Sequence, residues 1–323
     1  MNTTRRTFTL GLALLGIGAP LLGYADDFPS RAIRIIVPYP AGAAGDIQAR
    51  LVGDYMSATL KQPVVVDNRP GGAGISATDA VARAAPDGYT LLLTGPNHAT
   101  NVGLHKSLPY DPLKDFDPVS LLSQDYVVIM VNPKSGITDV KDLIEKAKAN
   151  PKTINYSSSG VGTAGHLAME MFQRAAGIEL FHIPYRGATP AITDTVSGQV
   201  ALTATGYAAA KSFIDGGQLK PLLISSQERS KALPNVPTGR EMNLDWVVTP
   251  WFGLSAPAGT PKSVIDRLSK VAAEAMQSKA VADRMDATGT VRVGSDPVAF
   301  RKFVERELDV WPELIRDVGI APQ

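Results

Sequence analysis

The sequence predicts an α/β protein of two domains, with the second domain inserted into the first. Strand and helix patterns alternate along the chain, which is typical of parallel sheets covered by helices. The alternation restarts after residue 126, and a strand pattern at residues 251–255 returns to the first sheet. We therefore place the first domain at residues 26–126 and 250–323 and the second at 127–249, with two crossing segments that permit hinge closure.

The N-terminus predicts an export signal at residues 1–25. Arg5 and Arg6 precede an apolar run that is too short and too rich in glycine for a membrane-spanning helix. Paired arginines followed by Phe8 are typical of twin-arginine signals, although ordinary secretory signals also carry two arginines. We expect cleavage near Ala25, a mature protein in the periplasm, and no other segment that crosses a membrane.

The composition fits globular domains and excludes several classes of function. The 323 residues are 44% hydrophobic and carry a net charge of +1, so no basic excess favours a nucleic-acid partner. Cysteine is absent, which excludes disulfides and thiolate metal sites. The histidines lack zinc-ligand spacing, and no G-x-S-x-G nucleophile motif occurs. These observations give no support to a nucleic-acid-binding protein, a zinc enzyme or a serine hydrolase, and we expect a monomer without cofactor or metal.

Residues 32–37 are almost continuously apolar and β-branched, as expected of a buried parallel strand. Pro38 ends the strand, and a loop of small residues leads into a helix. Asp46 falls in the first helical turn, where the helix dipole favours a carboxylate, either as a cap or as a ligand contact. Helical spacing predicts the apolar face of this helix: Ile47, Leu51, Tyr55 and Ala58.

Two further strands are predicted in the first domain, at residues 63–67 and 90–94. A glycine-rich turn and a helix connect them. The third strand leads to residues 95–101, which we expect to form a polar loop that contains Asn97 and His98. Because ligands gather at the carboxyl ends of strands in open α/β sheets, this loop is a candidate for ligand contact.

Residues 154–187 read as a strand, a glycine-rich turn, a helix and a second strand. Gly160 and Gly162 allow the backbone to turn tightly and to approach a ligand without Cβ atoms in the way. The helix begins near Thr163, and its first turn offers unpaired N–H groups and the positive end of the helix dipole to an anion. We interpret this turn as half of a binding cleft for a carboxylate or phosphate.

The same turn also matches the dinucleotide fingerprint. Gly160, Gly162 and Gly165 form G-x-G-x-x-G between a strand and a helix. Against this interpretation, no acidic residue ends the next strand, which finishes at Tyr185 and Arg186, and an exported protein meets little NAD. An exported dinucleotide-binding oxidoreductase and a tight connection without any ligand both remain alternatives at this point.

Helices and strands continue to alternate up to the C-terminus. Thr260 as N-cap and Pro261 at the first helical position start a helix that reaches residue 277. The last helix begins at Pro297 with an apolar stripe for the core, and Pro312 should kink or end it. The second domain supplies the remaining predicted elements, which are helices at 140–149, 189–197 and 208–215 and strands at 200–204 and 219–225.

Several groups near the predicted cleft are suited to an anion. Helix N-termini after Gly42, Gly162 and Ala188 are placed to converge there. Arg186 is expected either to form a charge-assisted bond or to face solvent. The histidines of the cleft region are expected either to donate to a carboxylate or to pack as neutral side chains.

Short motifs recur along the chain in a fixed order: YPAG at 39–42 with Asp46, VDNRPGGAG at 66–74, PDGY at 86–89, SGVGT at 159–163 with His166, PYRG at 184–187, and FGL at 252–254 with PAGTP at 257–261. Together they cover essentially the whole mature chain. In this order they resemble the extracytoplasmic solute-binding proteins of tripartite tricarboxylate transporters, often called Bug receptors.

The resemblance implies a two-domain Venus-flytrap fold of the periplasmic-binding-protein type, which holds a small carboxylate and performs no chemistry on it. It implies membrane components of a tripartite tricarboxylate transporter as partners, and a membrane sensor is the alternative partner. The main contacts should come from the loops after the first strand of each domain. Carried over to this chain, and together with the strand ends described above, the expected ligand-binding residues are Tyr39, Ala41, Gly42, Ala43, Asp46, Asn97, His98, Ser158, Gly160, Gly162, Thr163, His166, Tyr185, Arg186 and Thr205.

The chain departs from the family pattern near the expected pocket. Tyr39 and Ala43 stand where the family usually has phenylalanine and a second glycine, and Thr205 stands where it often has an acidic residue. The identity of the ligand therefore cannot be copied from a relative. Because Tyr39 and Tyr185 suit an aromatic ring, we expect either an aliphatic or an aromatic mono- or dicarboxylate.

Overall fold

The computed structural model describes residues 28–317, 319–320 and 322. The predicted signal peptide, with its paired arginines and its cleavage site, lies outside the described residues. Within them the chain forms a mixed α/β fold with two sheets, as the sequence predicts. None of the described helices is long and apolar enough to cross a membrane.

The first sheet is built from strands at both ends of the chain. Its members are β1 (Ile33–Val37), β2 (Val64–Asn68), β3 (Thr90–Thr94), β4 (Phe116–Gln124), β10 (Trp251–Pro257) and β11 (Val291–Arg292). Their order is β11-β4-β10-β3-β1-β2. β1 is parallel to β2 and β3, whereas β10 is antiparallel to both β3 and β4. The predicted return of the chain to the first sheet at residues 251–255 is therefore confirmed.

The second sheet is built from the middle of the chain. Its strands are β5 (Val127–Val131), β6 (Asn155–Ser158), β7 (Phe181–Pro184), β8 (Leu202–Gly206) and β9 (Lys220–Ile224), in the order β7-β6-β8-β5-β9. β6 is parallel to β7 and β8, whereas β5 is antiparallel to β8 and β9. β5 thus starts at the edge where β6 and β8 end.

Helices pack on both sheets. Their bounds are α1 (Ala44–Leu60), α2 (Ile75–Ala82), α3 (Asn97–Leu104), α4 (Val140–Ala149), α5 (Ala164–Ala176), α6 (Ala188–Ser197), α7 (Tyr207–Asp215), α8 (Lys262–Gln277), α9 (Lys279–Ala287) and α10 (Pro297–Asp317). α1 and α8 cover one face of the first sheet, and α4 and α5 cover one face of the second.

The carboxyl ends of the parallel strands in both sheets meet at the crossing segments. Only Asp125 and Tyr126 separate β4 from β5, and residues 225–250 return the chain to the first sheet. The Asp125 N–H donates to the Pro250 carbonyl at 2.6 Å, which ties the two crossings together. The loops after β1, β3, β6 and β8 therefore lie at the edges of the two sheets that the crossing segments join, and we call the space between these edges the cleft. We propose the domain boundaries at these crossings, at 126/127 and 249/250.

The last helix connects the two cores. At its start, Phe300 and Phe303 pack on Trp251 of the first sheet, with ring centroids 5.7 and 5.3 Å away. Near its end, Trp311 and Ile315 join the core of the second domain. Because α10 buries one apolar stripe against both domains, it bridges them on one side of the cleft.

The predicted apolar face of α1 is only half right. Leu51 and Tyr55 are partly buried and pack against the core of the first sheet, but Ile47 and Ala58 are exposed. The helix instead buries a face that includes Gly45, Ala49, Val52, Gly53 and Met56. A Cβ on Gly45 would lie 2.8 Å from the Tyr39 ring, so small residues allow the helix to approach the sheet more closely than large apolar ones would.

Three local predictions near helix ends also differ from the structure. Residues 95–101 are not a polar loop, because α3 begins at Asn97 and buries the polar side chains of its first turns. Thr260 does not cap α8, since its hydroxyl donates to the Pro257 carbonyl at 2.7 Å. Of the two outcomes expected at Pro312, the end of the helix is wrong, because α10 continues to Asp317 with Pro312 inside it and packs against the second domain.

Candidate functional site

Asp46 holds the loop between β1 and α1 in shape. Its buried carboxylate accepts hydrogen bonds from the Gly42 N–H at 2.8 Å and from the Asn68 amide at 2.8 Å, and it pairs with Arg50 at 2.9 Å. Burial opposes ionisation, but the hydrogen bonds from Arg50, Gly42 and Asn68 outweigh it and hold the pKa of Asp46 below its usual value. Both carboxylate oxygens are thus occupied by donors of the chain itself.

Tyr39 and Asn97 connect this loop to the neighbouring strand ends. The Tyr39 hydroxyl donates to Oδ1 of Asn97, and its ring packs edge to face on Phe252 at 5.5 Å. Burial raises the pKa of Tyr39 well above its usual value. Asn97 in turn donates to the Ala73 carbonyl at 3.0 Å, which fixes the turn that precedes α2. The sequence predicted that Tyr39 and Asn97 lie near each other, but it did not predict the hydrogen bond between them.

Hydrogen bonds that involve two histidines hold the loop between β6 and α5 in shape. The buried Ser158 hydroxyl accepts from the Gly160 N–H at 3.2 Å and contacts Nε2 of His182 at 2.7 Å. Nδ1 of His166 accepts from the Gly162 N–H at 3.1 Å. Gly160 and Gly162 have φ of +135° and +77°, which side-chain-bearing residues rarely adopt. The glycines are therefore required by the shape of this loop.

His166 is held in its neutral form. Because its Nδ1 accepts an N–H, the ring hydrogen is assigned to Nε2, which faces Glu170 at 3.7 Å. Its ring stacks on His182 at 4.2 Å, and His182 stacks on Tyr156 at 4.7 Å. Burial lowers the pKa of His166 to about 4, and burial together with His166 lowers the pKa of His182 to about 4.

Helices that begin at the cleft start without a side-chain cap. Ala43 at the N-cap of α1 has no capping group, and Thr163 at the N-cap of α5 donates its hydroxyl to the Gly160 carbonyl instead. α6 and α7 likewise begin without one. Missing caps are not confined to this edge, since α8 also begins without one, whereas Asp139 accepts the Asp142 N–H at the start of α4. First turns from both domains thus offer free N–H groups to an anion in the cleft.

The second-domain loop reaches the first domain. A Cβ on Gly162 would lie 3.3 Å from Leu104 in α3. A Cβ on Gly165 would lie 2.2 Å from the Ala204 carbonyl oxygen, so this glycine lets α5 approach β8. The third glycine of the G-x-G-x-x-G pattern thus has a packing role that requires no nucleotide.

Comparison with known proteins identifies the kind of protein to which this cleft belongs. The family described as "Tripartite tricarboxylate transporter family receptor" matches residues 48–320. The chain belongs to this receptor family. The predicted resemblance is thereby confirmed, and members of the family are periplasmic solute-binding proteins.

Individual relatives cover the receptor almost completely. It is 38% identical to Protein BugT of Bordetella pertussis over 324 residues, which are 99% of either chain. The structure of R. palustris Rpa4515 with adipate has 32% identity and a TM-score of 0.80, and it covers 92% of this chain and 100% of that one. The structure of MatC (Rpa3494) from Rhodopseudomonas palustris with bound malate has 30% identity and a TM-score of 0.74, with coverage of 89% and 100%. The predicted periplasmic-binding-protein fold is confirmed.

The remaining predicted residues of the receptor divide between the cleft edge and the interior. Tyr185 donates its hydroxyl to Asp194 at 2.6 Å, and burial, with Asp194, raises the pKa of Tyr185 to about 12. Arg186 is exposed at the end of β7, with no ion pair in the part of the chain that the structure describes. Thr205 is buried in β8 opposite Val128.

His98 lies apart from the two loops. Its ring is buried between Tyr110 and Phe116, with centroids 6.3 and 5.2 Å away, and its Nε2 contacts the Pro112 carbonyl at 2.7 Å. Burial lowers the pKa of His98 to about 4. The structure therefore supports the packed neutral histidine and not a ligand donor at this position.

Sequence reasoning missed three residues that support the site. The Asn68 amide bonds both Asp46 and the Tyr39 carbonyl, at 2.8 and 3.1 Å. Phe252 supports the Tyr39 ring, and His182 stacks on His166. Asn68 and Phe252 fall inside motifs that carried the family resemblance, which was a usable signal. His182 sits in a short strand without any local signal.

Proposed function

We propose that this receptor captures a small carboxylate between its two domains in the periplasm and delivers it to the membrane components of a tripartite tricarboxylate transporter. The observation that carries this proposal is the pair of uncapped first turns, in α1 and α5, that enter one cleft from opposite domains. Each such turn contributes about 0.3–2 kcal/mol toward an anion, by analogy with charged side chains at helix ends.

The binding contacts we propose are mainly backbone N–H groups. The N–H groups of Gly42 and Gly162 already bond Asp46 and His166, so the first-turn N–H groups that follow Ala43 and Thr163 remain for the ligand. In this scheme Tyr39, Asp46, Asn97, Ser158 and His166 position the loops, while Ala41, Gly42, Ala43, Gly160, Gly162 and Thr163 form the ligand-facing surface. Arg186, Tyr185 and Thr205 line the second-domain side.

Two structural relatives support a carboxylate. One was solved with adipate and the other with malate, and each shares about a third of its residues with this chain. The unpaired Arg186 fits an anionic ligand because guanidinium and carboxylate form charge-assisted hydrogen bonds. We propose a mono- or dicarboxylate, aliphatic or aromatic, as the class of ligand.

A thermal-shift screen tests the proposal. The mature chain, residues 26–323, is heated with carboxylates, amino acids, sugars and nucleotides, each at high concentration. A ligand present at a hundred times its dissociation constant stabilises the folded protein by about 2.7 kcal/mol, which is readily detected. We expect stabilisation by carboxylates. Stabilisation by dinucleotides alone would overturn the proposal and restore the oxidoreductase alternative.

A sensing role shares the same ligand-binding step. In that case the loaded receptor docks on a membrane sensor and not on a transporter. Uptake of the radiolabelled ligand by cells with and without the gene distinguishes the two. We expect loss of uptake in the deletion strain, whereas normal uptake with loss of a ligand-dependent response would favour the sensor.

A further inference from the structure

Asp125 occupies the crossing between the two sheets, at the floor of the cleft. It follows the last residue of β4 and precedes β5 by one residue. Its N–H donates to the Pro250 carbonyl on the other crossing segment. Asp125 therefore lies where the chain passes from one sheet to the other, next to the returning segment.

The carboxylate of Asp125 is only partly satisfied. Its Oδ1 accepts the Tyr126 N–H at 2.8 Å, while Oδ2 has no hydrogen-bond partner in the described chain. No lysine or arginine among the described residues pairs with it. The side chain is half-buried, and burial raises the pKa of Asp125 to about 7. Oδ2 is not among the buried unsatisfied atoms, so water can reach it, and another donor is needed once that water is excluded.

The contact with Gly206 places the Asp125 carboxylate on the face of the second sheet that α5 covers. Gly206 pairs with Val127, and directly paired residues share a face, so Oδ2 lies on the side of Val127 and Ile129. Those two residues pack in one core with Leu167 and Ala168 of α5. Asp125 therefore lies just beyond the edge of the sheet, on the same face as the start of α5.

The free oxygen and the first turn of α5 lie along the same end of β8. Oδ2 of Asp125 is 3.6 Å from the position of a Cβ on Gly206, which pairs with Val127. Gly165 in the first turn of α5 touches Ala204, two residues earlier on the strand. Two residues of a strand span about 7 Å, a distance that a ligand with a few bonds between two polar groups can cover.

We propose that Asp125 is a specificity-determining residue whose free oxygen accepts a hydrogen bond from an ammonium or hydroxyl group of the ligand. The inference rests on the proposed function, since the carboxylate of the same ligand binds the uncapped helix turns. The receptor then prefers carboxylates that carry such a donor over the parent acids, because only the former satisfy Asp125 when the cleft closes and water leaves. An acid without a donor brings a second carboxylate toward Asp125, so one of the two groups must take up a proton, which weakens binding.

Matched ligands test this inference by isothermal titration calorimetry. The panel contains C4–C6 mono- and dicarboxylates and aromatic acids, each as the parent acid, the hydroxy acid and the amino acid, for example succinate, malate and aspartate. We expect the wild type to bind one donor-bearing member at least tenfold more tightly than its parent. Asp125→Asn should abolish this preference and leave binding of the parent acid unchanged or improved. The matched control is Asp245→Asn, at an exposed position on the returning segment, and it should keep the preference.

The other possible results of this titration contradict either the inference or the proposed function. A wild type that binds parent and donor-bearing acids equally overturns the inference and leaves the proposed function intact. An Asp125→Asn variant that keeps the preference, or that weakens all acids by the same factor with a lowered melting temperature, assigns Asp125 a structural role. A wild type that binds no carboxylate in the panel overturns the proposed function and, with it, this inference.

Discussion

At the scale of single residues, the candidate site is shaped by side chains that hydrogen-bond the backbone of their own loops. Asp46 and His166 play equivalent parts in the two domains, since each accepts the N–H of a glycine four residues earlier and so closes a turn. One acceptor is an ionised carboxylate and the other a neutral imidazole. The acceptors of the two loops therefore take up a proton at different pH values.

Replacing Asp46 separates support of the loop from contact with the ligand. Asp46→Asn puts an amide against donors from Gly42, Asn68 and Arg50, so we expect a loss of about 1–3 kcal/mol in unfolding free energy together with weaker ligand binding. Urea denaturation and calorimetry measure the two effects. Asp54→Asn, on the exposed side of α1, should change neither. Unchanged stability with lost affinity would instead show that Asp46 contacts the ligand.

Acidification should destabilise the receptor through His166. The pKa of His166 is about 4 in the folded protein and about 6.5 in the unfolded chain, so the unfolded state binds more protons between these values. Stability from this residue is complete above pH 6.5 and is lost as the pH falls toward 4, by about 1.4 kcal/mol for each unit of the pKa difference.

The comparison with His166→Asn reports the effect of His166 together with its influence on the pKa of His182. His98 and His182 have lowered pKa values of the same kind, and Asp125, with a raised pKa, acts in the opposite direction. Melting temperatures of both proteins are measured from pH 8 to pH 4. The difference between them should shrink, or change sign, as the pH falls. A constant difference would mean that His166 does not titrate in this range.

Residue roles were predictable where the backbone itself demands a residue type. Gly160 and Gly162 have positive φ, and two glycines in a short turn between a strand and a helix predict such a backbone. The stack of His166 on His182 was not predictable, because the two residues meet only after β6 and β7 pair side by side. His98 shows the same limit, since its partners Tyr110 and Phe116 come from later segments.

At the scale of elements, the strand-to-helix connections carry the proposed function. α1 illustrates this best, because its N-cap Ala43 has the extended backbone of a capping residue but no capping group. A capped helix would be more stable, and the missing cap leaves N–H groups for a ligand. The sequence showed where these helices begin, but not which face of α1 is buried, because small residues that permit close packing carry little hydrophobic signal.

Ala43→Asp should lower the affinity for the ligand and raise the stability of the folded protein. The new carboxylate caps α1 and stabilises the fold by about 0.5–2 kcal/mol, while its charge occupies the position proposed for the ligand anion. We expect affinity for the best carboxylate to fall at least tenfold and the melting temperature of the free protein to rise. Ala43→Ser provides a neutral cap and should weaken binding less. Affinity that survives Ala43→Asp would remove α1 from the binding site.

At the scale of the whole molecule, the return of the chain to the first sheet was predictable and the bridge made by α10 was not. The insertion appears in the chain as a strand pattern that restarts and later returns. The bridge depends on Trp311 and Ile315, which look like ordinary core residues until two domains are present to share them. A Cβ on Gly103 of α3 would lie 3.0 Å from Ile315, so α3 and α10 pack tightly at this junction.

This architecture predicts how the receptor closes. The short crossing at Asp125 and Tyr126 and the returning segment near Pro250 permit rotation of one domain toward the other, while α10 holds one side of the cleft together. Binding of a carboxylate by helix turns of both domains should favour the closed arrangement, because only that arrangement brings both turns to one anion. Small-angle X-ray scattering should therefore record a smaller radius of gyration with the best carboxylate than without it. A neutral sugar at the same concentration should leave the radius unchanged. If a carboxylate that binds in calorimetry also leaves it unchanged, the two turns already lie at binding distance in the free protein, and the crossing segments act as a fixed support instead of a hinge.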